Sequence, residues 1–249
     1  MRKSYALPAV ARLEYRPLLR SALGAILAPT LAAVMASLWA GRTLALSAVF
    51  PARLLALLAA GTVLILYGLP AHGPHHRFGP ANHMTLARGA LVVFLAALLV
   101  ESVDVRVQYF ALGAAILAAL MDAADGWLAR RTGMVSAFGA RFDMETDAAL
   151  VAVLAVLAWQ FGKVGAWVLL SGAMRYLYAA AAAFIPLLRH PLPPGYRGKT
   201  IAVIQMLALL VAVAPWASPA LASVVALIGL ACLTLSFALD IVWLVRYAT

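Results

Sequence analysis

Apolar residues in this chain gather into eight long stretches, at about 21–40, 50–70, 84–100, 107–123, 140–161, 165–188, 200–216 and 219–245. Short polar pieces containing glycine or proline separate them. A helix that crosses a bilayer needs about 20 mainly apolar residues, so the pattern predicts an all-α, polytopic membrane helix bundle of about eight transmembrane helices. From Thr200 to Leu239 there is no charged residue at all, and Pro215 and Pro219 bracket a tight turn there, because proline ends helices. The run Ala179 to Ala183 lets neighbouring helices approach closely. No soluble domain, low-complexity linker or internal repeat is evident.

Composition agrees with the pattern. Of the 249 residues, 65% are hydrophobic and 11% charged, whereas a soluble domain averages about 45–50% apolar and about 25% charged. Cys232 is the one cysteine, which excludes an intrachain disulfide and a cysteine-based metal site. The first twenty residues carry Arg2, Lys3, Arg12, Arg16 and Arg20. They read as a basic arm on the anionic membrane surface, ahead of a first span too long for a cleaved signal peptide. With the N-terminus inside and eight spans, Arg42, Arg53, Arg106 and Lys163 fall outside and Arg175 falls within a span. The remaining basic residues lie inside. The positive-inside bias therefore predicts both termini in the cytoplasm. The net charge of +10 is read as membrane-surface charge, with no nucleic-acid partner.

Five of the nine acidic residues lie in D-A-A-D-G-W-L-A-R-R-T-G-M-V-S-A-F-G-A-R-F-D-M-E-T-D, from Asp122 to Asp147. Asp122 and Asp125 are three apart, and Asp143 and Asp147 four apart. Such pairs share a helix face. Two helices joined by a turn near Arg131 to Ser136 aim both pairs at one point, at the cytoplasmic face. Clustered carboxylates suit Mg²⁺, Mn²⁺ or Ca²⁺, and two ions held together can clamp a phosphoryl group. Gly126 and Gly139 lie on the carboxylate faces, where a ligand must approach closely. Arg130, two turns beyond Asp122, is suited to holding a phosphate. The plainer alternative is a set of helix caps and a solvated interfacial loop.

The spacing D-x2-D-G-x2-A-R-x8-G-x3-D-x3-D resembles the signature of the CDP-alcohol phosphatidyltransferase family, with Asp122, Asp125, Gly126, Ala129, Arg130, Gly139, Asp143 and Asp147 filling every position. The stretch from Gly79 to Arg88 resembles the family's P-N-x-x-T-x-x-R opening of the first core helix, with Ala81 inserted between Pro80 and Asn82. Gly198-Lys199-Thr200 with Gln205 resembles a shortened G-K-x-x-T-x-x-Q. The resemblance implies a six-helix core over 79–249, two extra transmembrane helices over 21–71, and the basic arm over 1–20. It also implies transfer of a phosphatidyl group from CDP-diacylglycerol to an alcohol with release of CMP, in phospholipid biosynthesis. On that reading Asp122, Asp125, Asp143 and Asp147 bind Mg²⁺ or Mn²⁺, as two ions, and Asp147 either acts as the general base for the acceptor hydroxyl or positions it. Asn82, Thr85, Gly126, Ala129, Arg130 and Gly139 form the CDP site. Family analogy adds a homodimer, and the setting expected is the bacterial inner membrane with the active site facing the cytoplasm.

Arg175 within a span needs a polar surrounding. With Arg141, Arg197 and Lys199 it is expected to bind an acceptor that already carries a phosphate, glycerol 3-phosphate or inositol phosphate. Ala148 stands where many glycerophosphate-type members have lysine, so serine, choline, inositol or phosphatidylglycerol remain alternatives. His72, His75 and His76 have spacing compatible with a transition metal, but their Gly/Pro-containing loop reads as solvated. Glu101 and Asp104 read as a solvated outer loop. Two rival classes are a cation-coupled transporter, since intramembrane carboxylates often mark ion pathways, and a catalytically silent scaffold. Transporter sites lie near the midplane on broken helices related by repeats, unlike a cluster at one face.

Overall fold

The structure, a computed structural model, describes residues 9–73, 75–132, 136–190 and 196–247, with side chains described except at 9–15 and 123–132. Among the described residues there is no strand, and eight α-helices follow one another. They are α1 (Ala9–Thr43), α2 (Phe50–Gly68), α3 (Pro80–Ala97), α4 (Val105–Thr132), α5 (Ala137–Gln160), α6 (Leu169–Phe184), α7 (Arg197–Val213) and α8 (Pro219–Tyr247).

Their ends follow local rules. Proline occupies the first turn of α2 and of α3, where its missing N–H costs nothing. Gly79, just before α3, has φ +84°, a conformation that side chains rarely adopt. At the start of α4 the Asp104 carboxylate accepts the Arg106 backbone N–H at 2.9 Å, an N-terminal cap. The segment expected as a surface arm and the first span are one helix from Ala9 onward, continuing through Pro17 and Pro29.

Among the described residues, six segments are long and apolar enough to cross a membrane: Arg16–Thr43, Phe50–His72, Pro80–Val100, Val105–Asp122, Ala166–Phe184 and Pro219–Tyr247. Large apolar side chains such as Leu27, Met35, Leu64 and Leu235 stand exposed along them. That is far more apolar surface than a soluble monomer carries, and the chain is an integral membrane protein. The other two helices fall short for different reasons. α7 has 17 residues, and the first half of α5 carries Arg141, Asp143, Glu145 and Asp147.

The chain forms two compact units, Met1–Leu98 with Ala118–Thr146, and Leu99–Leu117 with Asp147–Thr249. In the first unit, Leu18, Ala22 and Ala25 of α1 pack with Leu69, Phe78, Leu86 and Phe138. Phe50 meets Phe94 edge-on at 5.1 Å, and Arg53 Nη1 donates to the Ala97 carbonyl at 2.8 Å. His72 belongs to this core. Its ring is wholly buried, between Phe78 and Phe138, so the solvated reading of the histidine loop fails at that residue. Enough aromatic surface from distant parts of the chain converges there to bury an imidazole whose two nitrogens are both satisfied.

In the second unit α7 and α8 pack along their lengths, and Lys163 Nζ donates to the carbonyls of Pro215 and Ala217 at 3.1 and 2.6 Å. These bonds secure the turn between the two helices. Gly172 of α6 lies so close to α5 that an added Cβ would stand 2.6 Å from the Ala152 Cα. Glu101 also departs from expectation: it is buried, and its carbonyl accepts from Gln160 Nε2 at 3.1 Å.

Candidate functional site

Three helices build the site. α3 presents Asn82, Thr85 and Arg88 at intervals of three residues, hence on one face, and all three are buried. An added Cβ at Gly139 of α5 would lie 2.9 Å from Asn82 Oδ1. One at Gly89 would lie 4.0 Å from Thr146 Cγ2. Arg88 bonds to Asp143. These contacts climb both helices together, so α3 and α5 run in the same direction with α4 reversed between them.

Asp122 comes from α4, and Asp143 and Asp147 from α5. One carboxylate oxygen of each lies within 4.8 Å of the others. α5 is unbroken from Asp143 to Asp147, so the spacing of that pair is one helical turn. Carboxylates from two helices thus converge at these three residues. The side chains of Asp125, Ala129 and Arg130 lie outside the described residues, as does the surrounding of Gly126. The backbone of α4 runs helically through all four.

Arg88 was not among the expected site residues, yet it is central to the geometry. Its side chain is fully buried and bonds through Nη1 to Asp122 Oδ1 and through Nη2 to Asp143 Oδ1. Nη2 also reaches the Asp143 carbonyl at 3.5 Å. The guanidinium fork suits two acceptors on different helices. The available clue was the P-N-x-x-T-x-x-R pattern, in which Arg88 fills the last position. Formal charge shows what the cluster still needs. Three carboxylates and one guanidinium leave two negative charges, before Asp125 is counted. Buried or half-buried charge is costly unless compensated. Oxygen donors from carboxylates at this spacing fit Mg²⁺ or Mn²⁺, so the residues present fit the expected metal.

The remaining expected residues divide. Asn82 donates to the Phe78 carbonyl, and Thr85 Oγ1 donates to the Ala81 carbonyl at 3.1 Å. Both are thereby fixed on the α3 face that meets α5. Arg141 and Lys199 are exposed and Arg175 is half-buried in α6. Arg197 is paired with Asp240 of α8. Arg189 donates to the carbonyls of Ala182 and Ala183, closing the end of α6.

The helices and the acidic cluster define an integral membrane protein with three carboxylates placed as a metal ion would need them. Residues 78–237 match the family model described as CDP-alcohol phosphatidyltransferase. That is more than half of the chain, and the protein belongs to this family. It is a transferase of phospholipid biosynthesis, acting in the class of phosphatidyl transfer from a CDP-linked alcohol to an acceptor. No curated protein and no solved structure matches the chain.

Proposed function

We propose that this protein transfers the phosphatidyl group of CDP-diacylglycerol to the hydroxyl of an acceptor that already carries a phosphate, glycerol 3-phosphate or inositol phosphate, and releases CMP. The observation that carries the donor half is the convergence of Asp122, Asp143 and Asp147 within the family-matched segment.

In this reading Asp122, Asp125, Asp143 and Asp147 hold two divalent ions. When bound, the metal neutralises the diphosphate and the charge that develops on CMP as it leaves. Asn82, Thr85, Gly126, Ala129, Arg130 and Gly139 hold the cytidine diphosphate. The acceptor oxygen bonds to the phosphorus that bears the diacylglycerol, and the bond from that phosphorus to the CMP oxygen breaks. Asp147 orients the acceptor hydroxyl and takes its proton. Arg88 keeps Asp122 and Asp143 facing one another throughout.

Basic residues support the phosphorylated acceptor. The residues proposed for the acceptor's phosphate are Arg141, Arg175, Arg197 and Lys199, of which Arg197 also pairs with Asp240. The domain reading is a six-helix core over 79–249, preceded by two extra helices over 21–71 and the arm over 1–20. α5 and α7 complete the core as membrane helices. The setting is the bacterial inner membrane, with both termini and the site on the cytoplasmic side, and the enzyme works as a homodimer.

The test is CMP release from CDP-diacylglycerol with purified protein and Mg²⁺, offering glycerol 3-phosphate, inositol phosphate, inositol, serine, choline and phosphatidylglycerol in turn. Release that depends on a phosphorylated acceptor supports the reading, and release with serine or another unphosphorylated alcohol alone overturns the acceptor assignment. Asp143→Asn is expected to abolish release while leaving the protein folded; full turnover would sink the metal assignment. Divalent-ion flux across a vesicle membrane without CMP release would favour the transporter class instead.

A further inference from the structure

The chain that precedes the family-matched residues packs on Phe138 in the first turn of α5, and His72 adds hydrogen bonds to that packing. His72 closes the segment Phe50–His72. Its Nε2 lies 2.9 Å from the Arg77 carbonyl and its Nδ1 2.7 Å from Ser136 Oγ. A carbonyl only accepts, so Nε2 carries a proton and donates. In the neutral ring Nδ1 then accepts the hydrogen of the Ser136 hydroxyl. Ser136 Oγ in turn accepts the backbone N–H of Gly139 at 3.0 Å. That N–H is one of the unpartnered donors at the start of a helix, and Ser136 is the residue that caps α5. The hydrogen bonds therefore run in one direction: from Gly139 to Ser136, from Ser136 to His72, and from His72 to Arg77.

The first turn of α5 is held from the other side as well, since Gly139 abuts Asn82 and has no room for a Cβ there. Asp143 follows Gly139 by one helical turn and meets Arg88. A change in how α5 begins is thus delivered directly to the carboxylate cluster. The ring of His72 also packs against Phe138, in that same first turn, with centroids 5.6 Å apart.

We propose that His72 is a positioning residue of the transferase. Through Ser136 it fixes the start of α5, so that Gly139 meets Asn82 and Asp143 meets Arg88 and Asp122. The two helices before the family-matched segment are then a working part of the enzyme. The consequence for catalysis rests on the transferase reading above; the consequence for metal binding does not.

The test uses the full chain in detergent, with Mn²⁺ binding followed by electron paramagnetic resonance, CMP-release kinetics, and thermal unfolding as the control for packing. His72→Phe keeps an aromatic ring among Phe78 and Phe138 but loses both hydrogen bonds. It is expected to weaken Mn²⁺ binding and raise the KM for CDP-diacylglycerol, each by about ten- to a hundred-fold, the usual cost of losing a group that orients ligands from behind. His72→Asn, with an amide oxygen near the place of Nδ1, is expected to restore most of both. Ser136→Ala should reproduce the defect, and the double variant His72→Phe with Ser136→Ala should add little to it. If His72→Phe lowers only the unfolding temperature, or His72→Asn is as impaired as His72→Phe, the proposal is overturned. Should His72→Phe fail to fold, Ser136→Ala decides the matter in the same two assays. A wild-type chain that binds Mn²⁺ but releases no CMP would count against the transferase reading, and the Mn²⁺ comparison would still decide on His72.

Discussion

Replacing Arg88 by methionine keeps most of the side-chain volume and removes the charge between Asp122 and Asp143. The arginine side chain is 0% exposed, while the two carboxylates are 49% and 41% exposed. Exposed ion pairs contribute about 0–1 kcal/mol, and breaking a fully buried one costs about 3–5 kcal/mol. A buried guanidinium with two half-exposed partners lies between these limits, so the loss expected without divalent ions is about 2–3 kcal/mol. For a chain of this size that lowers the unfolding temperature by about 4–12 °C at roughly 2–4 °C per kcal/mol. Magnesium should then matter more to the variant than to the parent. Two carboxylates with oxygens within 4.8 Å of each other repel by roughly 3 kcal/mol at an effective dielectric constant of about 20, and their half-exposure reduces this to about 1–2 kcal/mol. In the parent, Arg88 already screens that repulsion. In Arg88→Met a bound cation must do so, and the stabilisation gained on metal binding grows by the same amount. The assay is thermal unfolding of both proteins in EDTA and in saturating Mg²⁺. An Arg88→Met protein as stable as the parent in EDTA, or one that gains no more from Mg²⁺ than the parent does, would refute the reasoning. Adding Asp122→Asn to Arg88→Met should recover part of the loss in EDTA, because it removes one of the two repelling charges.

Gly139→Ala places a methyl group 2.9 Å from Asn82 Oδ1 and 3.2 Å from Ser136 Oγ. It should raise the KM for CDP-diacylglycerol, and unchanged KM would argue against Gly139 lining the nucleotide site. Gly172→Ala drives a Cβ to 2.6 Å from the Ala152 backbone; overpacking of this kind costs about 1–3 kcal/mol, readable as a lower unfolding temperature. Lys163→Met removes the donor to the Pro215 and Ala217 carbonyls. It should destabilise by about 1.5–3 kcal/mol, the range for hydrogen bonds involving a charged group, with CMP release unaffected at low temperature.

What could be read from the chain depended on whether the cause was local. The carboxylate pairs follow from the helical period, which needs only a few consecutive residues, and Asp143 and Asp147 are where that period puts them. Helix positions were legible for the same reason, since length and apolar content decide them. α7 and α5 fall short on just those terms, one by its 17 residues and the other by the charge its first half carries for the site. The bracing of the cluster was not legible, because Arg88 joins α4 and α5 from a third helix, and no spacing rule relates residues 34 and 55 positions apart. His72 misled for a related reason. Its Gly- and Pro-containing neighbourhood reads as solvent-exposed, and only Phe78 and Phe138, brought together by the fold, make it a buried residue.

Arg197 carries the same lesson over to the acceptor. Counting charges near the ends expected to be cytoplasmic put it with Arg141, Arg175 and Lys199 as a phosphate ligand, and in the structure Asp240, 43 residues later, is a partner of its side chain. Asp240 is the one acidic residue after Asp147, so its pairing with Arg197 ties the start of α7 to α8 in a region otherwise nearly free of charge. A phosphate that recruited Arg197 would have to compete with Asp240 for the guanidinium. Arg141 and Lys199 are exposed and meet no such competition. Recognition of a phosphorylated acceptor should therefore weaken more on replacing Lys199 than on replacing Arg197, once the lost stability is allowed for.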